Sequence, residues 1–151
     1  MSTRVLIALD DTSTSLYVAH EAVRLLAPMA QVDYLVINVS AFPIMWSDTA
    51  SFGAVMPLNT LPSLPAVEER EAEARTRLAE HARLAGVQEP ELLEVTGDPA
   101  TEICAAADEH AVDIIVVGAH HKSVLLRLLD PSVAADVLKS CRRPVLVIPE
   151  R

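Results

Sequence analysis

Four short aliphatic runs, Val5–Leu9, Tyr34–Val39, Ile114–Val117 and Val145–Ile148, limit what this chain can fold into more than any other feature. Each is rich in Val, Ile and Leu, and none alternates with polar residues as a strand with one wet face would. Such runs suit strands covered on both faces, as in a parallel sheet between helical layers. A fifth run, Leu92–Thr96, is interrupted by Glu94 and suits a sheet edge.

Helical patterns lie between the runs. Residues 13–30 carry Leu16, Ala19, Val23, Leu26 and Ala30 at spacings of three and four, and residues 66–85 are laced with charges that read as a solvated face. A third helix is expected from Asp98-Pro99, where Asp can cap and Pro suits the first helical position; its inner stripe includes Ile103, Ala106 and Ala107. The same chemistry at Asp130-Pro131 predicts a last helix running through Val133, Val137 and Leu138. Strand and helix therefore alternate to the end, the pattern of an α/β fold with helices on both faces of a parallel sheet. With 151 residues, 51% of them hydrophobic, the chain reads as one domain over 1–151.

Residues 40–65 break the rhythm. They hold Pro43, Pro57, Pro62 and Pro65, yet also Ile44, Met45, Trp46, Ala54, Val55 and Met56. The apolar content favours a lid or a flap that contacts a partner protein, with plain disorder the alternative.

Twelve Lys and Arg against twenty-one Asp and Glu give a formal charge of −9, which repels a phosphate backbone and argues against nucleic acid as a partner. The one basic run, Arg142-Arg143, reads as a solvated helix end. The amino terminus, MSTRVLIALDD, has too short an apolar run for a signal peptide or a membrane span, so a cytoplasmic, membrane-free protein is expected. Cys104 and Cys141 form no CxxC pair and read as reduced, buried packing residues, although a disulfide between them stays open.

Read in order, several segments resemble the universal stress protein family. They are IALDDTSTS where the first strand ends, Val36-Ile37-Asn38-Val39, Gly97-Asp98-Pro99-Ala100, Ala111 through Gly118, and Cys141 through Pro149. The resemblance covers nearly the whole chain. It implies a five-stranded parallel sheet in the order 3-2-1-4-5, of the Rossmann-type class seen in adenine-nucleotide alpha-hydrolases. The order reverses between strands one and four, and open α/β sheets bind ligands in the crevice at such a point. It also implies a homodimer through the last strand, whose candidate residues are Val145, Leu146, Val147 and Ile148; an exposed apolar edge of this kind needs a cover.

The pocket candidates that the resemblance implies are Ala8, Asp10, Val39, Val117, Gly118, His120, His121, Lys122, Ser132 and Val133, with Asp10 on the adenosine side. Members of the family that bind ATP carry Gly, two residues, Gly, nine residues, then Gly followed by Ser or Thr. Glycines let backbone approach phosphate, and free N–H groups at the next helix start bind the anion. Here the positions hold Gly118, His121, Pro131 and Ser132. Pro131 has no N–H to offer. Asp130 puts a carboxylate at the helix start, where a phosphate would sit. Asp11 adds a second negative charge beside the first strand, and no other glycine-rich loop exists among four Gly. Family-style ATP binding is therefore disfavoured and no cofactor is expected. Against this, Lys122 and a protonated His120 or His121 could meet phosphate by side chain, with Ser132 adding a hydroxyl, so ATP or AMP binding is the alternative.

Plainer readings compete. Asp10 can cap the first helix or order the turn. Adjacent histidines rarely both ligate one ion, and only Asp130 is close in sequence, so no metal is expected. His20, His81 and His110 read as surface or half-buried residues. No nucleophile-elbow motif is present, and Ser132 with His121 is too cheap a coincidence to make a pair, so no catalytic residue is named and a non-enzymatic protein is expected. The resemblance, and it alone, implies a regulatory or protective role under stress.

Overall fold

The computed structural model describes residues 2–10, 13–40, 64–119 and 133–149. Five strands, β1 (Thr3–Ala8), β2 (Val32–Ser40), β3 (Glu91–Thr96), β4 (Ile114–Ala119) and β5 (Val145–Pro149), alternate with four helices, α1 (Ser13–Leu26), α2 (Leu64–Leu84), α3 (Pro99–Glu109) and α4 (Val133–Ser140). The strands form one sheet in the order β3-β2-β1-β4-β5, and every pair is parallel. The expected class and strand order are both present.

The double-sided burial foreseen for the aliphatic runs follows from strand geometry, since successive side chains point to opposite faces. Val5, Ile7 and Leu9 join Val36, Val116 and Ile148 in a buried cluster under α1 and α2. Leu6 points the other way and joins Leu35, Ile37, Ile115 and Val117 under α3 and α4. The sheet thus has two cores, one per face, and no wet side at its centre.

Helix boundaries differ from the periodicity in ways that have local causes. α1 ends at Leu26 rather than at residue 30, because Pro28 disfavours helix in the residue before it. α2 begins at Leu64, inside the stretch expected as loop; residues 41–63 of that stretch, and with them the flap, lie outside the described residues. Asp98 caps α3 as expected, accepting hydrogen bonds from the Thr101 hydroxyl at 2.7 Å and the Thr101 N–H at 2.9 Å. These bonds, the hydroxyl's first, hold the Asp98 carboxyl below its ordinary range. A carboxyl depressed in the folded state adds stability above its unfolded pKa and loses it as pH falls toward the native value. The matching cap proposed at Asp130-Pro131 lies outside the described residues, and α4 is seen from Val133.

α2 and α3 end alike. Val87 N–H bonds to Ala82 O and Gly86 N–H to Arg83 O after α2; Val112 N–H bonds to Ala107 O and Ala111 N–H to Asp108 O after α3. This is the left-handed helix stop that glycine favours. Gly86 sits there at φ 86°, but after α3 the position holds Ala111 at φ 50°. A Cβ in this region is strained, so Ala111→Gly is expected to stabilise the protein by about 1 kcal/mol. Thermal melting should show a rise of roughly 2–4 °C; an unchanged or lower midpoint would contradict it.

The cysteines depart from the sequence reading. Cys104 on α3 and Cys141 just beyond α4 are half-buried and joined in a disulfide, with Cα atoms 5.1 Å apart. Packing of α3 on α4 brings them together across a sequence separation of 37, which spacing alone conceals.

Candidate functional site

The strand order reverses beside β1, so β2 lies on one side of it and β4 on the other. Ala8 pairs with Ile37, and Ile7 with both Val36 and Val116, which sets the carboxyl ends of β1 and β4 next to each other. α1 leaves β1 over one face and α4 packs on the other, and it is at such a reversal that open α/β sheets bind ligands in a crevice. At this reversal Ala8 ends β1 and exposed Asp10 follows it, half-buried Gly118 lies near the end of β4, and half-buried Val39 lies near the end of β2, whereas Val117 is buried in the cluster under α3 and α4. Val133 opens α4 and is 41% exposed. His120, His121, Lys122 and Ser132, with Asp130 and Pro131, lie outside the described residues.

Asp10 is held by the first turn of α1. Its N–H donates to the Ser15 hydroxyl oxygen at 2.9 Å, and the Ser15 hydroxyl donates back to the Asp10 carboxylate. The arrangement joins exposed Asp10 to buried Ser15 and orders the turn from β1 into α1. Asn38 steadies the end of β1 from β2: its Nδ2 donates to Leu9 O at 2.9 Å, beside the backbone bond from Leu9 N–H to Ile37 O. Ser15 and Asn38 were not singled out from sequence. The signal existed, since Asn38 is the polar residue inside an otherwise aliphatic run.

Gly118 has a reason to be glycine that involves no ligand. A Cβ built there would lie 2.9 Å from Cγ2 of Val18, a residue of α1 that is 2% exposed. The close approach of α1 to β4 requires a residue without a side chain. The contact packs α1 on β4, and sequence reasoning missed it because Val18 lies a hundred residues away along the chain.

Other polar groups gather at the opposite end of the sheet. Arg4 N–H donates to Asp113 Oδ2 at 2.9 Å and its guanidinium to His110 O at 2.7 Å, while His110 Nδ1 lies 3.5 Å from Glu91 Oε1. These contacts tie the amino ends of β1, β3 and β4 together, far from the crevice. Among the described residues, no group of three or more His, Cys, Asp and Glu could hold a metal ion, and no helix is long and apolar enough to cross a membrane.

Comparison with known proteins gives a consistent match. The sequence model of the universal stress protein family aligns with residues 1–149. Universal stress protein MJ0577 of Methanocaldococcus jannaschii is 34% identical over 93 residues, covering 54% of this chain and 57% of that protein. Universal stress protein MJ0531 of the same organism is 39% identical over 83 residues, covering 54% and 48%. The chain thus spans about half the length of the curated relatives it matches. In three dimensions the solved structure of MJ0577 superposes with a TM-score of 0.69 at 21% identity, covering 99% of this chain and 96% of that one. A universal stress protein in complex with cAMP gives 0.64 at 20% identity, covering 97% and 96%. At such identities the likeness is one of fold.

Proposed function

Because the chain belongs to the universal stress protein family, by a match that runs from residue 1 to residue 149, we propose that it is a non-enzymatic regulatory or protective protein whose crevice does not bind ATP in the family's manner. The observation that carries this reading is the phosphate segment itself, where His121 and Pro131 occupy two of three glycine positions. The third, Gly118, is accounted for by its contact with Val18. Backbone N–H groups bind phosphate only where no side chain intervenes and the N–H exists. Pro131 removes one donor, and the Asp130 carboxylate competes for the charge-favoured place at the helix start.

The protein then acts through contacts with other chains, and the first of these is a second copy. β5 is the last strand in the sheet and pairs with β4, leaving its outer edge with half-buried Val145, Leu146 and Val147. Such an edge templates strand pairing. Light scattering should return twice the chain mass at micromolar concentration; a monomer there contradicts the dimer.

A second reading is favoured by the relative that is solved in complex with cAMP, a nucleotide with one phosphate. In it, His120, His121, Lys122 and Ser132 meet the phosphate of ATP or AMP by side chain. The two readings part on nucleotide content. Protein purified without a stripping step, then denatured and resolved by anion exchange, should release only traces of adenine nucleotide. Stoichiometric ATP or AMP, lost in a Lys122→Ala variant, would establish the second reading instead.

A further inference from the structure

We infer that Cys104 and Cys141 form a reversible thiol–disulfide site, oxidised by low-molecular-weight disulfides, that locks α3 to the junction of α4 and β5. The nucleotide crevice plays no part in this, and the inference stands whichever reading of that crevice holds.

Three features of the fold place the two sulfurs for repeated closure. The Cα atoms are 5.1 Å apart, inside the range a disulfide spans without moving backbone. The pairing of their elements does not depend on the bond. Ile103 and Ala107 of α3 share a buried cluster with Ala134 and Val137 of α4, and Arg143 Nε bonds to Asp108 Oδ1 at 3.2 Å. Asp108 is one turn beyond Cys104 and Arg143 two residues beyond Cys141, so this ion pair bridges the same two segments beside the disulfide. Cys141 is further fixed by its own N–H, which donates to Val137 O at 2.9 Å. Reduced thiols would therefore stay within reach of each other. Both cysteines are also half-buried rather than sealed, so a small reagent can approach.

The chemistry balances as two exchanges. One cysteine thiolate attacks the reagent RSSR, forming a protein–SR mixed disulfide and releasing RS⁻. The second thiolate attacks the protein sulfur of that mixed disulfide, expelling another RS⁻ and closing the Cys104–Cys141 bond. Two electrons pass from the cysteines to RSSR, and the two protons they lose convert both leaving groups to RSH.

The ring closed by the bond runs from α3 through β4, residues 120–132 and α4 to the approach of β5. Oxidation thus ties α3 to the segment that leads from α4 into β5. For a closed loop of this size the loss of unfolded-state freedom corresponds to a rise in melting midpoint of roughly 5–15 °C.

The test is a redox titration of the full chain in buffers of reduced and oxidised glutathione, quenched by thiol alkylation and read by intact mass. The expected result is a reversible two-electron transition within one chain. The oxidised protein should melt higher, and amide exchange should be slower in α3, α4 and 141–149. Cys104→Ser and Cys141→Ser should each melt like the reduced wild type, and oxidised glutathione should take them no further than a mixed disulfide on the remaining cysteine. Three results would overturn the proposal: a disulfide that native protein keeps at every glutathione ratio, oxidation that links two chains or stops at a mixed disulfide, or coincident melting of the two forms.

Discussion

Leu6→Ala is expected to lower the melting midpoint by roughly 4–20 °C, through a loss of about 2–5 kcal/mol. Leu6 has no exposed surface and sits on the central strand, with β2 on one side and β4 on the other. It faces the cluster under α3 and α4, among Leu35, Ile37, Ile103, Ile115 and Val137. Removing its side chain deletes apolar burial and leaves a cavity, and neighbours on four flanking elements, β2, β4, α3 and α4, cannot all collapse into it. The ion pairs seen at the surface, such as Lys139 with Asp136 and Arg24 with Glu21, offer little against such a loss. Calorimetry or circular dichroism melts of reduced and oxidised samples, compared like with like, would show it. A shift under about 2 °C would mean that the second core contributes far less than its burial indicates.

Gly118→Ala is expected to destabilise the nucleotide-free protein by about 1–3 kcal/mol, the range for overpacking a filled site. The sign is informative. Alanine in place of glycine in a strand ordinarily costs nothing and restricts the unfolded chain, which favours folding. Here the new Cβ meets Val18 Cγ2 at 2.9 Å, and Val18 is buried and stiff at its β-branch. Val18→Ala should therefore relieve the clash, so that the double variant is more stable than the sum of the two single losses by about 1 kcal/mol or more. Additive losses would disprove the contact. A Gly118→Ala protein as stable as wild type would mean that the contact with Val18 does not account for this glycine.

The same contrast shows how far sequence reached into this fold. The unalternating aliphatic runs announced strands buried on both faces, and Val5, Leu6 and Ile7 on consecutive positions are each buried to their full extent. The Asp98 cap was legible because it is a local interaction, three residues from donor to acceptor. The end of α1 was less so: apolar spacing continues to residue 30, and a helix yields to Pro28 regardless of spacing. What stayed hidden depends on pairings across long separations. Gly118 against Val18 and Cys104 against Cys141 arise only when α1 lies over β4 and α3 over α4. Asp10 is intermediate. Its place at the strand end was visible, and so was the plainer role of ordering the turn, but its partner Ser15 could not be chosen from among the hydroxyls of DTSTS.

Loss of family-style ATP binding is the claim on which the functional reading turns, and calorimetric titration of nucleotide-stripped protein with Mg-ATP, repeated with AMP, tests it most directly. No binding tighter than about 100 μM, or roughly −5.5 kcal/mol, is expected for ATP. A tighter site would contradict that loss, and would mean that side chains around His120, His121 and Lys122 supply the phosphate contacts that the missing glycines no longer provide.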